Sequence, residues 1–444
     1  MTTINNNTME LPNVSESLSD VLRDSTRPVF LFGAVPPRNG TSVEKAKEIC
    51  SKFVARGSVL ATDGFIIYDI QDEAGRTTVE RPFPFRQCMD ASQYASFFPA
   101  VSGKQCVVYQ SVVEAGITEF DNWVDTACDK YNQNAFNLVG APSSKINYSG
   151  LQLHEAGARM KSRTNCGFGC VCIPERHASK GNEHLNMSRK AEFGAEWFIT
   201  QGVFSAAPVS KLINDYGDVC REKGVVPKKV VLTFAPCGRK KTMDFIKWLG
   251  MFVPEHKEKR ILNAESPVKE SVILLREILL CILQQTGNSG VPLGINVESL
   301  SIFKDEIDAA HDLFQLLQVS SCNNPAYSYF ADTILVKRSI SCLNLLSFNP
   351  ILERFSQATL LNSQGSPWAV RWFPVAEAKI YRSAKASSET LRLLAANQES
   401  IDKDGKNILQ RKNQMSDPDL TIHLLTIGFV GFLGVAIGRY SHQQ

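Results

Sequence analysis

The feature that most limits the fold of this chain is a repeated alternation of short β-rich runs with helix-length segments. Eight runs rich in β-branched and aromatic residues occupy residues 29–32, 64–70, 106–111, 135–140, 167–173, 197–203, 229–235 and 294–301. Segments of helical length and spacing separate them, at 42–55, 119–131, 186–193, 207–223, 241–249, 266–285 and 304–317. This alternation predicts βα units and a parallel sheet, and eight such units close most readily into a (β/α)8 barrel of the TIM type.

An open, doubly wound α/β sheet is the alternative to the barrel. Such a sheet usually has a glycine-rich phosphate loop after its first strand. Here the first run is followed by Gly33, Ala34, Val35, Pro36 and Pro37, and the two prolines prevent the regular helix entry that a phosphate cradle needs. The α/β barrel is therefore the favoured fold class.

The segments outside the barrel differ from it in composition. We expect a disordered N-terminal segment at 1–26, the barrel at 27–320, a C-terminal extension at 321–382 and a polar tether at 383–419. Residues 420–438 contain no formally charged side chain and are long enough to cross a hydrocarbon core of ~30 Å. They predict a single transmembrane helix, hence a tail-anchored protein with its barrel in the cytosol, on the endoplasmic reticulum or the mitochondrial outer membrane.

Charge and cysteine usage exclude some classes of function. A net charge of +3 gives no indication of nucleic-acid binding, and basic clusters such as 239–241 are typical of solvated helix faces. Most of the twelve cysteines lie singly in apolar runs, as buried free thiols do. Cys166, Cys170 and Cys172, with His177 close behind, could suggest a metal site, but the spacing is unlike that of zinc ligands and no second ligand pair is evident. Core packing is favoured for them, and no metal is expected.

Polar residues at the ends of the predicted strands should meet at one mouth of the barrel, where barrel enzymes place their active sites. They include Asp72, Glu175, His177, Gln201 and Glu298. Carboxylates, an imidazole and an amide gathered at one rim predict a polar site there.

Short motifs around these strands resemble the methylenetetrahydrofolate reductase family, over roughly residues 28–318. V-P-P-R at 35–38 follows the first strand, and P-E-x-H at 174–177 follows the fifth. R-K at 189–190 and G-A at 194–195 precede I-T-Q at 199–201 in the sixth. The order of these motifs, rather than any one of them, carries the resemblance.

The resemblance implies reduction of 5,10-methylenetetrahydrofolate to 5-methyltetrahydrofolate with electrons from NAD(P)H, usually through FAD, and so a place in one-carbon and methionine metabolism. Gln201 matches the glutamine that contacts the folate, and an amide suits a pterin edge because it both donates and accepts. Phe83 could stack on the heterocycle, and Glu298 is assigned to the substrate side of the mouth. The oligomeric state, including a homo-oligomer, is left open.

The cofactor residues implied by the resemblance follow the fourth and fifth strands. His177 matches a flavin-contacting histidine, and Gly140 is the glycine that ends the fourth strand. The acidic, amide and basic positions that hold the ribose and phosphates of the flavin match Glu183, Asn186, Arg189 and Lys190.

Two departures from the family pattern concern acids. Gly33 stands where the family has the glutamate that donates a proton, and Ala141 follows Gly140 where the family has an aspartate. Glu175 or Asp72 is therefore the candidate proton donor, and Glu298 could project into the same space. The alternative is a barrel that no longer catalyses reduction and binds folate, flavin or a protein partner as an adaptor.

Overall fold

The computed structural model describes residues 17–73, 77–113, 115–141, 148–163 and 165–322. Within them, eight parallel strands close into a barrel in chain order, each paired to the next and the last paired to the first. The strands are β1 Phe30–Ala34, β2 Gly64–Ile67, β3 Cys106–Ser111, β4 Ala135–Val139, β5 Gly167–Cys172, β6 Trp197–Gly202, β7 Lys229–Phe234 and β8 Leu293–Val297. The predicted barrel is confirmed.

Helices surround the strands. They are α1 Leu18–Arg23, α2 Val43–Arg56, α3 Ala91–Ala95, α4 Phe98–Ser102, α5 Ile117–Asp125 with a π-helix Thr126–Lys130, α6 Leu153–Lys161, α7 Pro174–Lys180, α8 Glu183–Glu192, α9 Ala206–Lys223, α10 Lys240–Trp248, α11 Glu255–Leu262, α12 Pro267–Thr286 and α13 Lys304–Cys322.

The strands are buried on both faces, which is why they read as continuous apolar runs. One face packs against the helices. The other fills the barrel interior with Leu31, Ile66, Val107, Trp197 and Val231. The barrel is therefore a packed core, and polar chemistry is confined to its C-terminal mouth.

Helix α1 closes the opposite end of the barrel, within the segment predicted to be disordered. Ser17 caps the helix, and Leu18, Val21 and Leu22 pack into the barrel interior. The buried Lys229 ammonium donates to the Val21 carbonyl at 2.6 Å. The prediction of disorder at 1–26 was wrong for residues 18–23, which form a helix. Leu18, Val21 and Leu22 have helical spacing, but the segment around them is mostly polar.

The predicted membrane anchor requires correction. No helix in the described parts of the chain is long and apolar enough to cross a membrane. The longest of them, α12, is 20 residues long and contains Lys269, Glu270, Arg276 and Glu277. The segment 420–438 lies outside the described residues, as do the proposed tether at 383–419 and nearly all of the extension at 321–382. Within the described residues the fold is a closed barrel, and neither the predicted membrane helix nor the tail-anchored localisation is supported.

The loop after β2 reaches across the mouth to the far side of β1. Arg38 and Cys88 form an isolated bridge that holds the end of this loop beside β1. The Trp248 indole of α10 donates to the Val79 carbonyl at 2.9 Å, which fixes the middle of the loop. These two contacts join the loop to the segment that follows β1 and to α10, which follows β7.

Candidate active site at the barrel mouth

Gly33 of β1 leaves a gap that two neighbouring side chains fill. A Cβ atom built on Gly33 would lie 2.9 Å from Glu298 Cβ and 2.9 Å from Tyr68 Cε2. Glu298 directly follows β8, and Tyr68 directly follows β2. The strand pairing of β1 with both β2 and β8 brings these residues together. The Glu298 side chain, which follows β8, therefore begins directly beside Gly33 of β1.

Glu298 is buried and bonds to the phenol of Tyr68. The residue has 8% of its surface exposed. Burial raises the pKa of Glu298 to about 7, and a hydrogen bond with Tyr68 acts in the opposite direction. The Tyr68 hydroxyl accepts a bond from Asn296 Nδ2 at 2.8 Å, and the Tyr109 ring lies 5.0 Å from the Tyr68 ring. A carboxyl group with this pKa can hold and release a proton near neutral pH.

Several buried polar atoms inside the barrel lack a hydrogen-bond partner among the described residues. They are both amide atoms of Asn137, the Asn296 carbonyl oxygen and the Trp197 indole nitrogen. Asn137 is fully buried in β4, and Asn296 is fully buried in β8. Buried polar groups are rarely left without a partner, so these atoms indicate a place for water or for the polar edge of a ligand.

Glu175 and Gln201 lie on the β5–β6 side of the mouth, against the loop that follows α10. Glu175 Oε1 accepts from the Phe252 backbone N–H at 3.4 Å, and Gln201 Nε2 donates to the Leu249 carbonyl at 3.4 Å. Glu175 Oε2 is buried and has no partner within the described chain. Burial raises the pKa of Glu175, against backbone hydrogen bonds that lower it. Glu175 is thus a second protonatable carboxyl, three strands away from Glu298 around the barrel.

Asp72 and Phe83 belong to the loop after β2. Asp72 is exposed. The Phe83 ring makes an edge contact with Phe245 of α10, with 5.3 Å between ring centroids, and Lys241 Nζ lies 4.9 Å from its centre. Phe83 is therefore packed against α10 and remains partly exposed.

The residues implied to hold flavin are engaged with one another. Glu183 is completely buried, and its carboxylate accepts from the Ile173 backbone N–H at 3.2 Å and from Asn186 Nδ2 at 2.8 Å. Lys190 donates to the Val171 carbonyl at 2.7 Å and lies 3.6 Å from Glu183 Oε1. The exposed Arg189 bonds to the Asn186 carbonyl oxygen.

His177 pairs with a residue of α9. Its Nε2 lies 2.8 Å from Asp215 Oδ2, and its side chain is buried between α7 and α9. Gly140 directly follows β4, and the nearest contact of a Cβ built there is Leu153, at an ordinary 3.5 Å. The set as folded does not fit a flavin, because Glu183 is sealed from solvent and Asn186 uses both ends of its amide internally. No chemical step is therefore assigned to flavin.

One group in the described chain has the composition of a metal site. His177, His184 and Asp215 each offer a ligand atom, and these atoms lie within 4.8 Å of one another. Burial lowers the pKa of His184 and the nearby His177 adds to this, which favours the neutral ring that binds metals. Asp215 also accepts from Lys211 Nζ at 2.5 Å, so an ammonium group already occupies its carboxylate. Cys166, Cys170 and Cys172 do not belong to this group.

The motifs in the sequence did not indicate three polar residues of the barrel: Tyr68, Asn137 and Asn296. Asn137 and Asn296 each interrupt an otherwise apolar strand, in AFNLV and LGINV. A polar residue inside a strand buried on both faces is informative, because burying an amide without a partner is costly. That signal was available in the sequence.

Comparison with known proteins supports the fold. No protein-family model matches the chain, and no curated protein matches it. Among solved structures, an uncharacterised protein from Clostridium thermocellum that binds two copies of 5-methyl-5,6,7,8-tetrahydrofolic acid is similar, with 27% identity and a TM-score of 0.58. The match covers 68% of this chain and 99% of that chain.

Two further matches are more distant. An F420-dependent secondary alcohol dehydrogenase is 9% identical with a TM-score of 0.38, covering 67% of this chain and 99% of its own. A dihydropteroate synthase from Xanthomonas albilineans is 13% identical with a TM-score of 0.31, covering 68% and 95%. These scores are too low to support an argument about this chain. The closed parallel barrel of this chain is thus compatible with the fold of a folate-binding protein.

Proposed function

We propose that the chain binds a reduced folate in the mouth of its barrel and reduces 5,10-methylenetetrahydrofolate to 5-methyltetrahydrofolate with NAD(P)H. The similarity to the Clostridium protein, which extends over 99% of that chain, supports folate as the ligand class. Two buried amides in the strands support it too, because a pterin edge carries both donors and acceptors. Asn137 and Asn296 have unpartnered amide atoms available for such an edge.

The observation that carries the catalytic part of the proposal is the position of Glu298 beside Gly33. Reduction of the one-carbon unit needs a proton on the folate nitrogen, so that the methylene bridge opens to an iminium ion that can accept hydride. Gly33 has no proton to give. The Glu298 side chain begins beside Gly33, is shielded from solvent and has a pKa of about 7.

This placement supports the following mechanism. Protonated Glu298 gives its proton to the bridging nitrogen, and the C–N bond opens to leave the iminium. Hydride from NAD(P)H then adds to the one-carbon atom, yielding the methyl group and NAD(P)⁺. Asn296 holds the Tyr68 phenol beside the Glu298 carboxyl. The phenol then stabilises the carboxylate that remains after Glu298 has given up its proton. The reaction consumes one proton and one hydride for each folate reduced.

The test is NAD(P)H oxidation by the full chain with 5,10-methylenetetrahydrofolate, compared between wild type and Glu298→Gln. The amide keeps the shape of the side chain and removes its proton, so turnover should fall by about 10²-fold or more. Glu175→Gln and Asp72→Asn are the matched comparisons. Full activity in Glu298→Gln together with a large loss in either comparison would transfer the role of acid to that residue.

A non-catalytic folate-binding or partner-binding barrel is the second candidate function, and one observation favours it. Both positions at which the family carries acids, 33 and 141, are occupied by residues without a proton to give. Calorimetric titration with 5-methyltetrahydrofolate separates the two functions. Folate binding without any folate-dependent NAD(P)H oxidation would support the binding protein, and binding with oxidation supports the reductase.

A further inference from the structure

Two cysteine side chains are in direct contact at the end of the barrel opposite the mouth. Cys128 lies in the π-helix that follows α5, and Cys166 lies immediately before β5. Their Sγ atoms are 2.7 Å apart, although the residues are separated by 38 positions in the chain. Both residues are partly exposed, so a small reagent can reach them.

The surroundings make the two thiols unequal. A hydrogen bond from Cys128 lowers the pKa of Cys166, and the Arg163 guanidinium lowers it further. Burial acts in the opposite direction. The same contact raises the pKa of Cys128. Arg163 is held in place by an ion pair with Asp125 of α5. Cys166 is therefore the thiol that ionises first, and Cys128 is the neighbour that remains protonated.

The other described cysteines lack this arrangement. Cys50, Cys106, Cys170, Cys172, Cys220 and Cys237 are buried, and burial raises the pKa of each of them. Cys88 and Cys281 are partly exposed, and burial raises the pKa of Cys88. Within the described residues, the pair thus combines sulfur contact, accessibility and a nearby guanidinium, which the other cysteines there do not.

We propose that Cys128 and Cys166 form an oxidation site that reacts with a peroxide and closes into a reversible disulfide. The Cys166 thiolate attacks one peroxide oxygen, which gives a sulfenic acid and releases the other oxygen as water after protonation. The Cys128 thiol then attacks Sγ of Cys166, the new S–S bond forms, and the sulfenic oxygen leaves as a second water. Two thiols and one hydrogen peroxide thus give one disulfide and two water molecules, and a thiol reductant reverses the change.

The position of the pair defines what the disulfide does. It joins the segment before β4 to the segment before β5, at the strand starts, where barrels hold stabilising rather than catalytic residues. Closing this loop restricts the unfolded chain, so oxidation should raise the Tm of the barrel by roughly 5 °C or more. Ligand binding at the mouth should be unchanged.

The experiment uses the reduced full chain, treated with equimolar hydrogen peroxide, blocked with N-ethylmaleimide and mapped by peptide mass spectrometry. Wild type should give a peptide that links Cys128 to Cys166 and disappears on reduction. Cys88→Ser, which removes a partly exposed single thiol, should give the same linked peptide. Cys128→Ser should give none, and its Cys166 should instead be trapped as a sulfenic acid by dimedone.

The wild-type map decides the outcome even if the Cys128→Ser chain fails to fold. A linked peptide that forms faster than any other cysteine is modified supports the proposal. Recovery of both Cys128 and Cys166 as alkylated thiols overturns it. So does preferential linkage of either residue to a different cysteine.

Discussion

At the mouth of the barrel, Gly33 is closely packed by the residues that directly follow β2 and β8. Tyr68 and Glu298 occupy the volume beside Gly33, so the position no longer has room for a side chain of its own. Tyr68 also links Asn296 to the Glu298 carboxyl. An acidic side chain at position 33 would need the volume that Glu298 and Tyr68 occupy. The two arrangements therefore exclude each other.

A larger side chain at position 33 should destabilise the protein. Gly33→Ala places a Cβ 2.9 Å from two neighbouring carbon atoms, so Glu298 and Tyr68 must shift. We expect a loss of about 1–3 kcal/mol in the free energy of unfolding, measured by chemical denaturation, and a fall in folate-dependent activity. Gly140→Ala is the control, because its Cβ meets only Leu153 at 3.5 Å. Equal stability of the two variants would show that the contact at Gly33 relaxes without cost.

At the scale of elements, α8 is tied to the start of α7 through a buried carboxylate. Glu183 accepts the Ile173 backbone N–H, which immediately precedes α7, and it also bonds Asn186 one turn along α8. Lys190 completes the arrangement by bonding β5 at Val171. The polar residues of α8 thus have a structural role in this fold, whatever ligand approaches them.

Glu183→Ala should consequently reduce stability strongly. It leaves a buried N–H, the Asn186 amide and the Lys190 ammonium without their shared partner, and breaking a buried charged network by removing one member costs about 3–5 kcal/mol. Chemical denaturation measures the loss. Glu192→Ala, which removes a largely exposed ion pair with Lys223, should cost less than about 1 kcal/mol. If Glu183→Ala were as stable as Glu192→Ala, and lost only flavin binding, Glu183 would be a cofactor residue.

At the scale of the whole molecule, the barrel was predictable from the sequence because its strands are buried on both faces. Each of the eight predicted runs overlaps an observed strand. Six of the described helices escaped prediction. Four of them, α1, α3, α4 and α7, are each seven residues or fewer, too short for a helical repeat to stand out. The other two, α6 and α11, are nine and eight residues long.

The candidate site was less predictable than the fold. Glu175, Gln201 and Glu298 were recognised as mouth residues because parallel strands all end at the same rim. The contact of Glu298 with Gly33 was not predictable, since it depends on the register between the first and last strands. The internal bonding of Glu183 and the packing of Phe83 against α10 depend on side-chain conformations, which a motif does not specify.

The raised pKa of Glu298 makes the stability of the whole barrel depend on pH. Its carboxyl titrates near pH 7 in the folded protein, whereas an ordinary glutamate titrates at 4.5. The folded state therefore binds this proton more tightly than the unfolded state does. The stabilisation is fully present below pH 4.5 and is lost as the pH rises through about 7, with a size on the order of 3 kcal/mol.

Glu298→Gln removes this proton, so it should remove this part of the pH dependence. We expect the difference in free energy of unfolding, wild type minus variant, to fall by about 3 kcal/mol between acidic and mildly alkaline pH. Chemical denaturation of both proteins across this range measures it. Glu192→Gln, at a largely exposed carboxyl, should follow wild type throughout. Parallel curves for wild type and Glu298→Gln would mean that Glu298 titrates as an ordinary carboxyl, and the proposed proton donor at the mouth would then be ionised at neutral pH and have no proton to give.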